Sequence, residues 1–167
     1  MATPLEQFTA ECRTILNAEP GPSGRRKICM RLEQLLRDPD FVKALVTERT
    51  PERHVLYEDP QLKFCVLAHK YDDAKDSPPH DHGPSWAIYG QAQGETEMTD
   101  FALVASPAEG RPGKARALRT YKLTPGMAYL YNEGDLHAPR RRGPTRLIRI
   151  EGMNMDRVKR AKFEAVP

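Results

Sequence analysis

No apolar run in this sequence approaches the roughly 20 residues that a helix needs to span a bilayer. Its first residues, MATPLEQFTAECRT, hold neither the basic segment nor the apolar core of a secretory signal. Both absences predict a cytoplasmic protein. Cysteine is scarce: Cys12, Cys29 and Cys65 are odd in number, widely spaced and form no CxxC. That pattern argues against a disulfide framework and against a thiolate zinc site, and it fits a reducing compartment. Internal repeats and low-complexity segments are missing too. What the chain does have is length and stiffness. Its 167 residues suffice for one domain with a real core, and 15 prolines against 11 glycines suggest many rigid turns and a β-rich body. With 39% hydrophobic and 29% charged residues, it reads as soluble and globular rather than disordered.

Charge is unevenly spread. Residues 140 to 167 hold nine basic residues against three acidic ones, which leaves 17 basic and 20 acidic residues before them. The body is therefore −3 and the last segment +6. Such a split suggests an anionic partner without saying which.

Residues 1 to 50 read as helical. Thr3 and Pro4 make an N-cap and first-turn pair, and Leu5, Phe8 and Ile15 recur near helical spacing. EPGPSGRRK breaks this helix, a second follows over Ile28 to Leu36, and a short third over Pro39 to Val46. From residue 54 the pattern becomes short strands: His54–Glu58, Leu62–Tyr71, Trp86–Gln91, Glu95–Val104, Ala115–Leu123, Met127–Tyr131 and Arg146–Glu151. Seven such runs joined by Pro- and Gly-marked turns predict a sandwich or small barrel.

Three of the five histidines lie in two short motifs, Pro79-His80-Asp81-His82-Gly83 and Gly134-Asp135-Leu136-His137. If the first is extended, His80 and His82 project to one face and can hold one metal from one side. A third imidazole from His137 completes a facial cap with open positions for substrate, water or dioxygen. Imidazoles are neutral, so a divalent ion keeps its full charge and favours thiolates, enolates or carboxylates. Asp81 should point to the opposite face. His69 and His54 read as ordinary strand histidines, and Trp86, Tyr89, Tyr129 and Tyr131 as core.

PPHDHGPSWAIYGQAQGE followed by MAYLYNEGDLHAP resembles the cupin superfamily, and within it the cysteine dioxygenase-like group of thiol dioxygenases. The resemblance implies a mainly β, single-domain cupin: a jelly-roll barrel, or double-stranded β-helix, over residues 51–155. A helical N-terminal arm over 1–50 and a basic tail over 156–167 flank it. Ordinary cupins place a glutamate ligand four or five residues after the second histidine, where this chain has Trp86 and Ala87. Its absence marks the three-histidine, non-haem iron subgroup, with His80, His82 and His137 as the implied ligands. Arg53, in Arg53-His-Val-Leu-Tyr57, is similar to the arginine that clamps the substrate carboxylate. Ala87 also stands where some members carry a crosslinked cysteine, so no thioether is expected.

The family's Ser-His-Tyr relay aligns here with Leu147, Arg149 and Glu151, which puts a carboxylate in place of the phenol. Alternation sets Arg149 and Glu151 on one strand face, inward or outward. The expected function is therefore an iron(II) dioxygenase that oxidises a small, carboxylated thiol to its sulfinate, with Arg53, Arg149 and Glu151 as catalytic candidates. Its expected partners are a small anionic substrate and dioxygen, with neither nucleic acid nor membrane; monomer and homo-oligomer stay open. Zn, Ni or Mn suit the same ligands. The alternatives are a β-dicarbonyl dioxygenase, isomerase or hydrolase, or a non-catalytic metal- or ligand-binding cupin. Against nucleic acid, the basic cluster lacks interleaved aromatics. Arg140 to Arg142 are expected at the barrel mouth, steering small anions.

Overall fold

The computed structural model describes residues 1–167. Three helices, α1 (Pro4–Ala18), α2 (Pro22–Leu35) and α3 (Pro39–Leu45), each begin on a proline, where the missing N–H leaves no hydrogen bond unmade. Thr3 and Glu6 cap α1 reciprocally: the Glu6 N–H donates to the Thr3 hydroxyl at 3.2 Å, and the Thr3 N–H to the Glu6 carboxylate at 2.7 Å. The expected helix break is shorter than the sequence suggests, because α2 already starts at Pro22. No helix is long and apolar enough to cross a membrane.

Ten strands follow: β1 (His54–Glu58), β2 (Cys65–Tyr71), β3 (Lys75–Asp76), β4 (Ala87–Gln93), β5 (Thr96–Ala105), β6 (Gly113–Leu123), β7 (Ala128–Tyr131), β8 (Leu136–Arg141), β9 (Thr145–Glu151) and β10 (Phe163–Val166). They form two five-stranded sheets, ordered β1-β2-β9-β4-β7 and β10-β6-β5-β8-β3. Two sheets that exchange successive strands in this order make a jelly roll, the double-stranded β-helix expected of a cupin. Every pairing is antiparallel except β10 beside β6.

Three strands exceed the seven expected. β3 is only two residues long, and β8 reads as a loop because Pro139 interrupts it among three arginines. The third corrects the expected basic tail: Phe163–Val166 pairs in parallel with Gly113–Arg116 and extends the second sheet.

The main core lies outside the barrel. Val66, Ala68, Ile88, Ile148 and Ile150 point from the first sheet toward Phe8, Ile28, Leu32 and Phe41 of the helices, within one cluster of 18 buried apolar residues. The barrel interior holds a cluster of five: Ala87, Tyr89, Met98, Leu123 and Tyr131. Most apolar burial, at about 1.5–3 kcal/mol for each large side chain, therefore joins the helices to the sheet. Gly90 makes that approach possible, since a Cβ there would lie 2.7 Å from Leu32 Cδ2 and from the Ile148 carbonyl oxygen.

Candidate metal centre

His137 sits on β8 and is fully buried, whereas His80 and His82 occupy the loop between β3 and β4. The extended strand expected for the HxH motif is thus replaced by a loop with one bridge. The His80 N–H donates to the His137 carbonyl at 3.0 Å, and the His137 N–H returns the bond at 2.9 Å. This reciprocal pair fixes the loop to the second sheet and draws the imidazoles together. Their candidate ligand atoms all lie within 4.8 Å of one another.

Two of the rings are oriented from behind. The Pro78 carbonyl lies 2.9 Å from His80 Nδ1, and the Asp135 carbonyl 2.8 Å from His137 Nδ1. A carbonyl only accepts, so each Nδ1 carries the proton and each Nε2 presents a lone pair, the arrangement that metal-binding histidines use. His82 Nδ1 has no such brace.

The three Nε2 atoms converge on the Tyr89 hydroxyl, at 3.3 Å from His80 and 3.1 Å from both His82 and His137. One phenol brings one proton. Even if His82 donates to the phenol oxygen, one of the two carbonyl-braced rings is left with lone pair facing lone pair. The donor set is one cation short, and three neutral nitrogens suit a divalent ion. Burial keeps them neutral. It lowers His80 to about 4, with Arg160 and Arg149 adding to the effect. His82 falls well below its ordinary value through burial and its neighbours His137 and Arg149, and His137 through burial and His80.

Arg149 and Glu151 face inward. Along β9, Ile148 and Ile150 face the helices, so Leu147, Arg149 and Glu151 face the barrel. The Arg149 guanidinium lies over the Tyr89 ring at 4.2 Å. Glu151 is 1% exposed, and its two oxygens accept from Arg53 Nη1 and Nη2, both at 3.0 Å. Arg53 Nε is also 2.9 Å from Asp156, in ionic contact without hydrogen-bond alignment. Burial works against the Arg53 cation, but Glu151 and Asp156 more than offset it and hold its pKa above the ordinary value. The fork that the resemblance assigns to a substrate carboxylate therefore already holds a buried one.

Two cavities of about 250 and 260 Å³ adjoin the centre, one reaching His82 and the other His80 and Tyr89. They share Tyr71, Arg149 and Arg160 as walls. Sequence reasoning gave three of the residues around them other readings. His69 is 2% exposed; its Nδ1 lies 2.6 Å from the Glu52 carbonyl, which leaves Nε2 a lone pair without a partner. Tyr89 reads as core in the sequence. Arg141 was expected at the barrel mouth, yet it points inward, 2% exposed, over the Tyr71 ring at 4.7 Å. Burial, and then the like charge of Arg149, lowers its pKa. Their strand positions, in phase with His137 on β8 and with Arg149 across β2 and β4, are the signal that could have found them. The other candidates lie outside the centre: Asp81 caps the Gly83 N–H at 2.9 Å, His54 is exposed, and Cys65 is buried with its thiol pushed up to about 12, chiefly by desolvation.

No family model and no curated relative matches the chain. Solved structures do. The chain is similar to a cupin superfamily protein from Desulfitobacterium hafniense, at 14% identity over 65% of this chain and 83% of that one, with a TM-score of 0.46. It is also similar to a Klebsiella pneumoniae protein with a double-stranded β-helix domain, at 15% identity over 71% and 84%, with a TM-score of 0.48. A third is KdgF from Halomonas, at 21% identity over 59% and 74%, with a TM-score of 0.43. Similarity at this level says nothing about chemistry. The fold rests on the strand order itself.

Proposed function

We propose that this chain is a three-histidine iron(II) dioxygenase that converts a small anionic thiol and dioxygen into the sulfinate. The overall change is RSH + O₂ → RSO₂⁻ + H⁺, which needs no further reductant. The observation that carries the reading is the donor set: three neutral Nε2 atoms converge with no carboxylate ligand among them, and they open onto cavities walled by arginine. Iron(II) bound there would supply the redox path by which the thiolate sulfur passes its four electrons to dioxygen. The chain's own residues hold and orient. Tyr89 carries an O–H at the focus of the imidazoles and can donate it to an oxygen nearby. Arg149 fixes the Tyr89 ring from its face. His69 contributes a neutral acceptor to the cavity wall.

Oxygen uptake tests this directly. After anaerobic iron(II) loading, one or more small anionic thiols should consume dioxygen and yield sulfinate in equal amounts. No uptake above the iron-only blank for any thiol, at full iron occupancy, removes the reading. The bond between Arg53 and Glu151 favours a second one. With the expected carboxylate clamp engaged, a metal on the same histidines can instead polarise an enolisable dicarbonyl substrate. Consumption of a β-diketone by a protein inert toward thiols selects that reading.

A further inference from the structure

The charges around the two cavities do not balance. Arg53, Lys75, Arg141, Arg149 and Arg160 line them, against Glu52, Glu151 and Asp156. Lys75 pairs with Glu52 at 2.5 Å, and Arg53 takes both Glu151 and Asp156. Arg160 is exposed to solvent and donates to the Asp81 carbonyl at 3.3 Å. That leaves Arg141 and Arg149.

Arg141 is 2% exposed and the Arg149 side chain 12%, and neither has a carboxylate of its own. Nε and Nη2 of Arg141, and Nε of Arg149, are buried without an acceptor. The best anionic contact of Arg149 is Nη1 to Glu151 Oε1 at 3.6 Å, and that oxygen already accepts from Arg53. The two guanidiniums come from opposite sheets, Arg141 on β8 and Arg149 on β9, and line one cavity together with His80 and Tyr89. Tyrosine faces at 4.7 and 4.2 Å stabilise each cation in part. A ring face accepts none of the orphaned N–H groups, however, and buried like charges without an anion are unfavourable.

We propose that Arg141 and Arg149 form a paired-guanidinium subsite for a dianionic oxyanion group, of the phosphate or phosphonate class. Two planar forks meet several oxygens of one tetrahedral group and match its two charges, which a single carboxylate does not. The cavity of about 260 Å³ limits the ligand to a small molecule. The subsite deepens the proposed function: the substrate's charged end lies on the arginines while its reacting end meets the histidines. It rests on that reading only for the identity of the reacting end.

Calorimetry and thermal unfolding at constant ionic strength, set with sodium chloride, test the subsite without turnover. Inorganic phosphate and methylphosphonate should bind once per chain, at least tenfold more tightly than acetate. Arg141→Met and Arg149→Met should each weaken phosphate at least tenfold, and Arg141→Met should also raise Tm in phosphate-free buffer, because it removes a buried cation that contacts no anion. If Arg141→Met does not fold, Arg141→Lys, which keeps the charge without the fork, should still weaken phosphate several-fold. His137→Ala should retain phosphate binding, which separates this subsite from an anion held on a metal. Phosphate that binds no better than acetate, that survives both arginine changes, or that is lost only in His137→Ala overturns the proposal. A chain inert toward every thiol but still binding phosphate through the arginines would remove the dioxygenase reading and leave this one standing.

Discussion

The two faces of the first sheet are built from the same strands and do opposite things. On β9, Ile148 and Ile150 look outward to the helices and belong to the large apolar cluster. Leu147, Arg149 and Glu151, between and beside them, look inward. Across the sheet, Ala68 and Ile88 join the apolar side, while His69 and Tyr89 join the polar one. The barrel is thus held mainly by what packs on its outside, and its interior has room for buried charge beside a small apolar cluster. A protein that places its main core beside its barrel can fill the barrel with arginine, glutamate and histidine, provided each has a partner or a ligand.

Substitutions on the two faces should separate these roles. Leu32→Ala, at a fully buried site against Gly90, should cost about 2–5 kcal/mol yet leave metal content per folded chain unchanged, measured by chemical denaturation and elemental analysis. Loss of metal in the folded variant would break the division between the faces. Glu151→Gln should cost less, about 2 kcal/mol, because Arg53 is partly exposed and water can take over some of its hydrogen bonds. The same change should free Arg53 and tighten the affinity for a carboxylated ligand such as 3-mercaptopropionate; an unchanged affinity would show that Asp156 keeps Arg53 from the ligand.

The smallest of these effects is in pH. Burial, and then the positive charge of Arg149, holds His69 well below its ordinary value near 6.5. The unfolded chain therefore takes up a proton near pH 6.5 while the folded chain does not, so stability falls as pH drops from 6.5 toward the depressed folded value. At pH 5.5 the loss from this one group is on the order of 1 kcal/mol. Comparing Tm at pH 7.5 and 5.5, His69→Gln should lose less stability than the parent chain; an equal loss would assign the acid sensitivity elsewhere.

The fold class and the clustering of His80, His82 and His137 were legible in the sequence for definite reasons. Turn residues punctuate short β runs, and the two histidine motifs sit where a barrel brings them together. The interior was not legible, because alternation along Arg146–Glu151 fixes which residues share a face and leaves open which face is inside. A rule that buries apolar residues in the barrel would have turned Arg149 outward; the helices, by covering the other face, reverse it. β8 was hidden by its proline and arginines, and with it the inward turn of Arg141. The fate of Arg53 depended on a partner 98 residues away, which no local pattern gives.

The central claim is that His80, His82 and His137 hold one metal ion through their Nε2 atoms. Its most direct test is the metal content of the parent chain and of His137→Ala after anaerobic iron(II) loading and desalting. One iron per parent chain, and none in a folded His137→Ala, is the predicted result. A parent chain that retains no iron, zinc, nickel or manganese, or a His137→Ala chain that keeps a full equivalent, would contradict it.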